Sequence, residues 1–150
     1  MKTETDRLII DDIKPEDKEN YFINISHDKK VLQTFVCEYR EDINTFDFDG
    51  YVGRKDIFAI REKLSNNLIG IFVECEVDRE AGSLEIGYGL GSKYWGRGYM
   101  TEVVGAMLEY YFKSGYKTVY ASFFPENLAS KRVMEKCGMT FSHINEKEFT

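Results

Sequence analysis

The sequence predicts a mixed α/β domain, a mostly antiparallel sheet flanked by helices. Three observations carry this. Three strand-like runs, 56–61, 68–77 and 83–90, follow one another across the short turns Ser65-Asn66-Asn67 and Glu80-Ala81-Gly82, which is the pattern of an antiparallel meander. Two segments with helical apolar spacing, 99–114 and 129–137, come after them with another strand-like run, 117–124, in between. Glycines 91, 96 and 98 crowd the junction between the last meander strand and the first long helix.

Taken in order, residues 5–10 read as a first strand. Pro15 then suits a first helical position, Glu16 and Asp17 give an acidic first turn, and Tyr21, Phe22 and Ile25 share one face. A second short helix is expected over 29–35. Residues 37–54 interleave Glu38, Glu41, Asp42, Asp47 and Asp49 with Tyr39, Phe46, Phe48 and Tyr51, so they read as a surface excursion pinned by aromatics, either a solvated loop or a substrate-facing lid. The three meander strands form the centre of the sheet. In the long helix Val103, Val104, Met107, Leu108, Tyr111 and Phe112 recur with helical period, and Gly115 stands where a left-handed cap belongs. Pro125-Glu126-Asn127 signals a turn and cap, the 129–137 helix stops at Gly138, and a further strand is expected to start at Met139.

Length and composition bound the function. A chain of 150 residues, 43% hydrophobic and 15% aromatic, can bury the core of one domain. Twenty-six acids against twenty bases give a net charge of −6, which disfavours nucleic-acid binding, because that affinity rests on Lys and Arg neutralising phosphates. A cationic partner fits better. The longest apolar run, 68–73, is far short of the roughly 20 residues of a membrane span, and MKTETDRLII lacks the basic-then-apolar order of a signal peptide, so the reading is a cytoplasmic protein without membrane attachment. Cys37, Cys75 and Cys137 are odd in number and widely spaced, which predicts buried reduced thiols and neither a disulfide framework nor a metal site. His27 and His143 are isolated and receive no role.

The bare backbone of GSKYWGRGYMTEVVGAML needs an explanation. A helix N-terminus leaves several N–H groups without intrahelical partners, and glycines just before it let an anion approach them; a tight strand-to-helix turn would also use glycine. The common nucleotide motifs do not fit. Gly96-Arg97-Gly98 is followed by Tyr-Met-Thr, not by the x-x-Gly of a dinucleotide fingerprint, and no Gly-Lys-Ser/Thr occurs.

Lys93-Tyr94-Trp95-Gly96-Arg97-Gly98 resembles the acyl-coenzyme A loop of the GNAT superfamily of N-acetyltransferases, [Gln/Arg]-x-x-Gly-x-[Gly/Ala], with Lys93 replacing the usual first residue by a cation that lacks the planar donor fork of arginine. The likeness extends through RLIIDDIKPEDKENYF, LEIGYGLGSKYWGRGYMTE and PENLASKRVMEKCGMTF, and covers nearly the whole chain. In order and spacing these segments resemble the branch that acetylates N-terminal residues of ribosomal proteins. The resemblance implies acetyl-CoA as cosubstrate, no metal, and a coenzyme diphosphate over Gly96, Arg97, Gly98 and the opening N–H groups of Tyr99 and Met100. It also implies a pantetheine arm paired like an extra strand along Tyr88, Gly89 and Leu90, with Asn127 as a further coenzyme contact or a simple helix cap.

Acetyl transfer to an amine requires a neutral nucleophile, a proton acceptor, oxyanion stabilisation and a proton for the departing thiolate. Glu85 alternates with Leu84, Ile86 and Tyr88, so its side chain faces away from theirs, and the family often carries a base or water-holding glutamate there. A solvated strand glutamate or a structural hydrogen-bond partner is the other reading of Glu85. Many family members place a tyrosine acid seven residues after the asparagine, a position held here by Met134; the ribosomal-type branch has Asn-x-x-Ser, matched by Asn127 and Ser130. The Ser130 hydroxyl is therefore the candidate donor to sulfur, and a first-turn bond to backbone is its other use.

The acceptor expected first is a peptide or protein N-terminal amine, whose ordinary pKa of about 7.7–8.0, against about 10.4 for lysine, makes it easier to present neutral. A small amine or polyamine is the second reading, and a non-catalytic acyl-CoA sensor the third. Family members usually follow the strand at Met139 with a turn and a last strand, whereas only SHINEKEFT follows Phe141, so an incomplete sheet edge is expected, covered by a partner chain in a homo-oligomer or by a tail.

Overall fold

The computed structural model describes residues 2–31, 40–45, 48–122 and 128–140. Six strands form one sheet in sequential order: β1 (Thr3–Glu4), β2 (Leu8–Asp12), β3 (Ile57–Glu62), β4 (Leu68–Asp78), β5 (Ser83–Leu90) and β6 (Thr118–Ala121). The first four neighbouring pairs run antiparallel, whereas β5 and β6 pair parallel. Parallel neighbours need a crossover, and α2 (Tyr99–Lys113) supplies it.

The predicted meander strands stand almost where their periodicity put them. The first strand differs: residues 5–10 are not continuous, because the chain turns between β1 and β2 and sets Thr3 opposite Ile10. Thr5 closes this turn, its N–H donating to the Leu8 carbonyl at 2.9 Å and its hydroxyl accepting from the Leu8 N–H at 3.1 Å. The stretch opened by Pro15 is helical but irregular, running from a 3₁₀ turn (Pro15–Asp17) through α1 (Lys18–Tyr21) into a π turn (Phe22–Ser26). Of the helix expected over 29–35, residues 32–35 lie outside the described residues.

Two bulges shape β4. Ile60 faces Gly70 and Arg61 faces Leu68, so Ile69 is an extra residue; Glu74 faces Ile86 and Glu76 faces Glu85, so Cys75 is another. Cys75 is exposed, against the expectation of a buried thiol, because it lies in the outer end of β4, where Glu76, Val77 and Asp78 are exposed as well. Cys137 is partly buried, and Cys37 lies outside the described residues.

The sheet has a core on each face. On one, Val103, Met107 and Tyr111 of α2 pack on Leu8, Ile10, Phe58, Ile60, Phe72, Leu84 and Ile86. Each such side chain removed from water contributes about 1.5–3 kcal/mol, enough to fix α2 on this face. Phe112, assigned by periodicity to the apolar stripe, lies half exposed beside it. On the other face Tyr21, Ile25 and Phe48 cover Ile57, Ala59, Leu68 and Ile71. The Tyr21 ring lies 5.3 Å from both Phe48 and Tyr51, so aromatics do pin the end of the 37–54 excursion.

Arg61 is 1% exposed on this second face and is held by Asp17 through two bonds of 2.6 and 2.7 Å and by Asp11 at 2.6 Å. Burial alone would lower its pKa, but the bonds to Asp17 and Asp11 outweigh that and raise it.

Gly115 and Gly138 follow α2 and α3 (Leu128–Lys136) with φ of +103° and +85°, the left-handed conformation that ends a helix. Beyond Gly138 the Met139 N–H returns to the Met134 carbonyl at 2.9 Å. The strand expected from Met139 falls mainly on residues 141–150, which lie outside the described residues, as does His143; the sheet edge predicted there is therefore not described either.

Candidate active site

β5 has a different neighbour on each side, and they do not run the same distance. β4 pairs with it as far as Leu90, while β6 pairs only from Ser83 opposite Thr118 to Ile86 opposite Ala121. Among the described residues the β5–β6 pairing ends there, and the splay expected next to Tyr88 and Leu90 would fall opposite residues 123–127, which lie outside the described residues. The Gly91 N–H donates to the Ile69 carbonyl at 2.8 Å, so by antiparallel alternation Gly89 turns its main-chain groups to β4, and Tyr88 and Leu90 turn theirs away from it. One expectation needs correction: the Leu90 carbonyl is not free, because the Trp95 indole N–H donates to it at 2.8 Å.

The glycine loop follows directly on the end of β5. Ser92–Tyr94 form a 3₁₀ turn, then Gly96 and Gly98 both take φ of +77°, where a side chain would strain the backbone. A Cβ at Gly96 would meet nothing within 4 Å, so the loop is open towards solvent. Gly98 is the N-cap of α2 and offers no side-chain cap, which leaves the opening N–H groups of the helix available at its positive end. Lys93 Nζ lies 5.3 Å and Arg97 Cζ 5.5 Å from the Tyr94 ring centroid, so one aromatic ring gathers two cations beside the glycines. Tyr99 and Met100 are partly buried against the α2 core, with their main chain in the first turn.

Two side chains anchor the loop that sequence reasoning did not single out. Arg7 donates through Nη1 to the Arg97 carbonyl at 2.9 Å and through Nε to Glu102 at 2.9 Å. The signal was in the quoted RLIIDD segment, where Arg7 passed as part of a strand.

The proposed acid and base stand on opposite faces of β5. Glu85, partly exposed, accepts a bond from the Ser122 hydroxyl at 3.2 Å, just past the last β5–β6 pair. It lines an open depression of about 760 Å³ with Glu76, Asp78, Arg79, Glu80 and Tyr120. Ser130 is 9% exposed in the first turn of α3, and its Oγ lies 2.9 Å from the Tyr88 hydroxyl. Burial pushes the Tyr88 phenol up to about 12, against the opposing effect of the Ser130 bond. Met134 is buried nearby on α3. Asn127 lies outside the described residues.

Among the described residues no group of three or more His, Cys, Asp or Glu side chains is placed to hold a metal ion, and no helix is long and apolar enough to cross a membrane. The acetyltransferase (GNAT) domain family matches residues 7–140, from the loop anchor Arg7 to the end of the described α3 region. The chain belongs to the GNAT acetyltransferase family.

The GNAT fold recurs in a crystal structure of an acetyltransferase from Bacillus anthracis, 31% identical, with 93% of this chain and 84% of that chain covered at a TM-score of 0.79. The uncharacterized N-acetyltransferase p20 of Bacillus licheniformis is 33% identical over 102 residues, 67% of this chain. That match spans 57% of the relative's length. A spermidine N-acetyltransferase from Vibrio cholerae, solved with CoA and spermine, is 18% identical with 97% of this chain and 88% of that chain covered at a TM-score of 0.77, a likeness of fold alone. For the GNAT coenzyme the residues present fit: two left-handed glycines, an uncapped helix start and two neighbouring cations suit a diphosphate, and the β5 edge suits an amide-bearing arm.

Proposed function

We propose that this protein is an acetyl-CoA-dependent N-acetyltransferase whose acceptor is a primary amine. The end of the described β5–β6 pairing at Ile86, followed along β5 by the left-handed glycine loop, carries the reading, since main chain turned away from β4 and an anion cradle then adjoin one another. Acetyl-CoA supplies an activated thioester. Gly96, Gly98 and the start of α2 bind the diphosphate, and the main chain of Tyr88 pairs with the pantetheine amides. Glu85 takes the proton from the acceptor ammonium, directly or through water, and Ser130 donates towards the departing sulfur. Their placement on opposite faces of β5 supports this division of labour, because the amine can approach from the Glu85 side while the thiolate leaves on the Ser130 side.

The N-terminal amine of a peptide or protein is the first acceptor, a reading that rests on the Asn127-x-x-Ser130 spacing and on the lower pKa of an α-amine. One observation favours a polyamine as the second: the depression beside Glu85 holds four acids, Glu76, Asp78, Glu80 and Glu85, against one base, Arg79. A cytoplasmic setting accords with use of acetyl-CoA.

An acceptor screen tests the proposal. The protein is incubated with acetyl-CoA and a panel of peptides with free N-termini, the same peptides N-blocked, and polyamines, with free CoA and acetylated product both measured. Turnover confined to free N-termini supports the first acceptor; turnover on polyamines alone overturns it. Acetyl-CoA binding without thiol release on any amine would replace the enzyme by a sensor.

A further inference from the structure

Arg7 reaches the coenzyme loop from the opposite end of the chain. It sits in the turn between β1 and β2, 90 residues from Arg97 and 95 from Glu102, and touches both. Its main-chain N–H donates to Glu102 at 3.1 Å and its Nε at 2.9 Å, its Nη1 donates to the Arg97 carbonyl at 2.9 Å, and its guanidinium lies 4.5 Å from the Tyr99 ring centroid. Glu102 also accepts from the Thr5 hydroxyl. The guanidinium is thus fixed by a carboxylate, a carbonyl and a ring at once.

We infer that Arg7 is a positioning residue for the coenzyme diphosphate, acting through the Arg97–Gly98 peptide and through Glu102; the inference rests on the coenzyme reading of the loop given above. A trans peptide is planar, with its C=O and N–H on opposite sides. Holding the Arg97 carbonyl towards Arg7 therefore aims the Gly98 N–H away from Arg7. Without that restraint a Gly-x-Gly loop has many conformations to lose when a ligand binds, and ordering it in advance removes that cost.

The second contribution is electrostatic. Glu102 lies in the first turn of α2, where its charge stabilises the helix but opposes a second anion at the same terminus. Arg7 and Thr5 bind this carboxylate and hold its pKa below the ordinary range against the contrary effect of burial. Arg7 neutralises the charge that competes with the diphosphate. Lysine could not replace it, because one ammonium lacks the fork that serves Glu102 and the Arg97 carbonyl together.

The test is calorimetric binding of acetyl-CoA and of S-acetylpantetheine, which lacks the diphosphate, to wild type, Arg7→Ala and Arg7→Lys, with thermal unfolding of each. Arg7→Ala should weaken acetyl-CoA on the order of 10-fold or more, Arg7→Lys several-fold, and neither should alter the weaker binding of acetylpantetheine. Equal loss for both ligands would mark a merely structural role and overturn the inference, as would wild-type affinity for acetyl-CoA in a folded variant. If Arg7→Ala does not fold, Arg7→Lys decides by the same criteria. Failure of the wild type itself to bind acetyl-CoA would instead remove the coenzyme reading on which the inference rests.

Discussion

The Tyr88 hydroxyl lies 2.9 Å from Ser130 Oγ, joining β5 to the first turn of α3. Met134, which the sequence resemblance puts where many family members carry a tyrosine acid, is buried, and this hydroxyl pair is the proposed source of the proton. Ser130→Ala should lower the single-turnover rate on the order of 10²-fold with modest change in acetyl-CoA affinity. Tyr88→Phe, which leaves Ser130 its position but not this partner, should cost about 10-fold or less. Because burial pushes the Tyr88 phenol up to about 12, it stays protonated at neutral pH, and the loss in Tyr88→Phe should be constant between about pH 6 and 9. A loss that grows with pH, or wild-type rates in both variants, removes the pair from the mechanism.

Glu85→Gln keeps the bond-accepting shape at the Ser122 contact but cannot take a proton. At neutral pH its rate should fall on the order of 10²-fold or more, and recover partly at higher pH as more of the acceptor amine is already neutral. The measurement is single-turnover acetylation of one identified amine over a pH series. A uniform loss without recovery would leave Glu85 a structural partner of Ser122.

Gly98→Val places a branched side chain at φ of +77° and at the mouth of the cradle, where the Cβ would also come to 3.6 Å from Arg7. Acetyl-CoA affinity should collapse while the distant core stays folded, as read by calorimetry and circular dichroism. Unchanged binding by the folded variant refutes the phosphate-cradle reading.

Arg61→Ala strands the carboxylates of Asp17 and Asp11 on a covered face of the sheet, and Asp17 is only 3% exposed. Removing one partner of a buried ion pair costs about 3–5 kcal/mol, which urea unfolding would register as a lowered midpoint with little change in slope. Arg61→Met should cost less, since its longer apolar side chain fills part of the space. An Arg61→Ala midpoint equal to that of the wild type would mean the pair contributes nothing.

The sequence by itself determined what depends on a few consecutive residues. The alternation of Ser83–Leu90 and the helical spacing of Tyr99–Lys113 are local backbone periodicities, and both elements stand at or within a residue of their predicted bounds. The glycines of the cradle were legible for the same reason, since a left-handed backbone names its own residue. Tertiary structure alone decided the rest. The break at Thr5 to Arg7 became visible only when β1 folded back on β2, because alternation does not mark a turn made of polar residues. The bulge at Cys75 follows from the register of β4 against β5, a relation between strands. Trp95 on the Leu90 carbonyl, Tyr88 on Ser130, and Arg7 on Glu102 pair residues 5, 42 and 95 positions apart. The two distant pairs form only after the sheet order and the packing of the helices have fixed which side chains share a space, and a local pattern carries no information about that order.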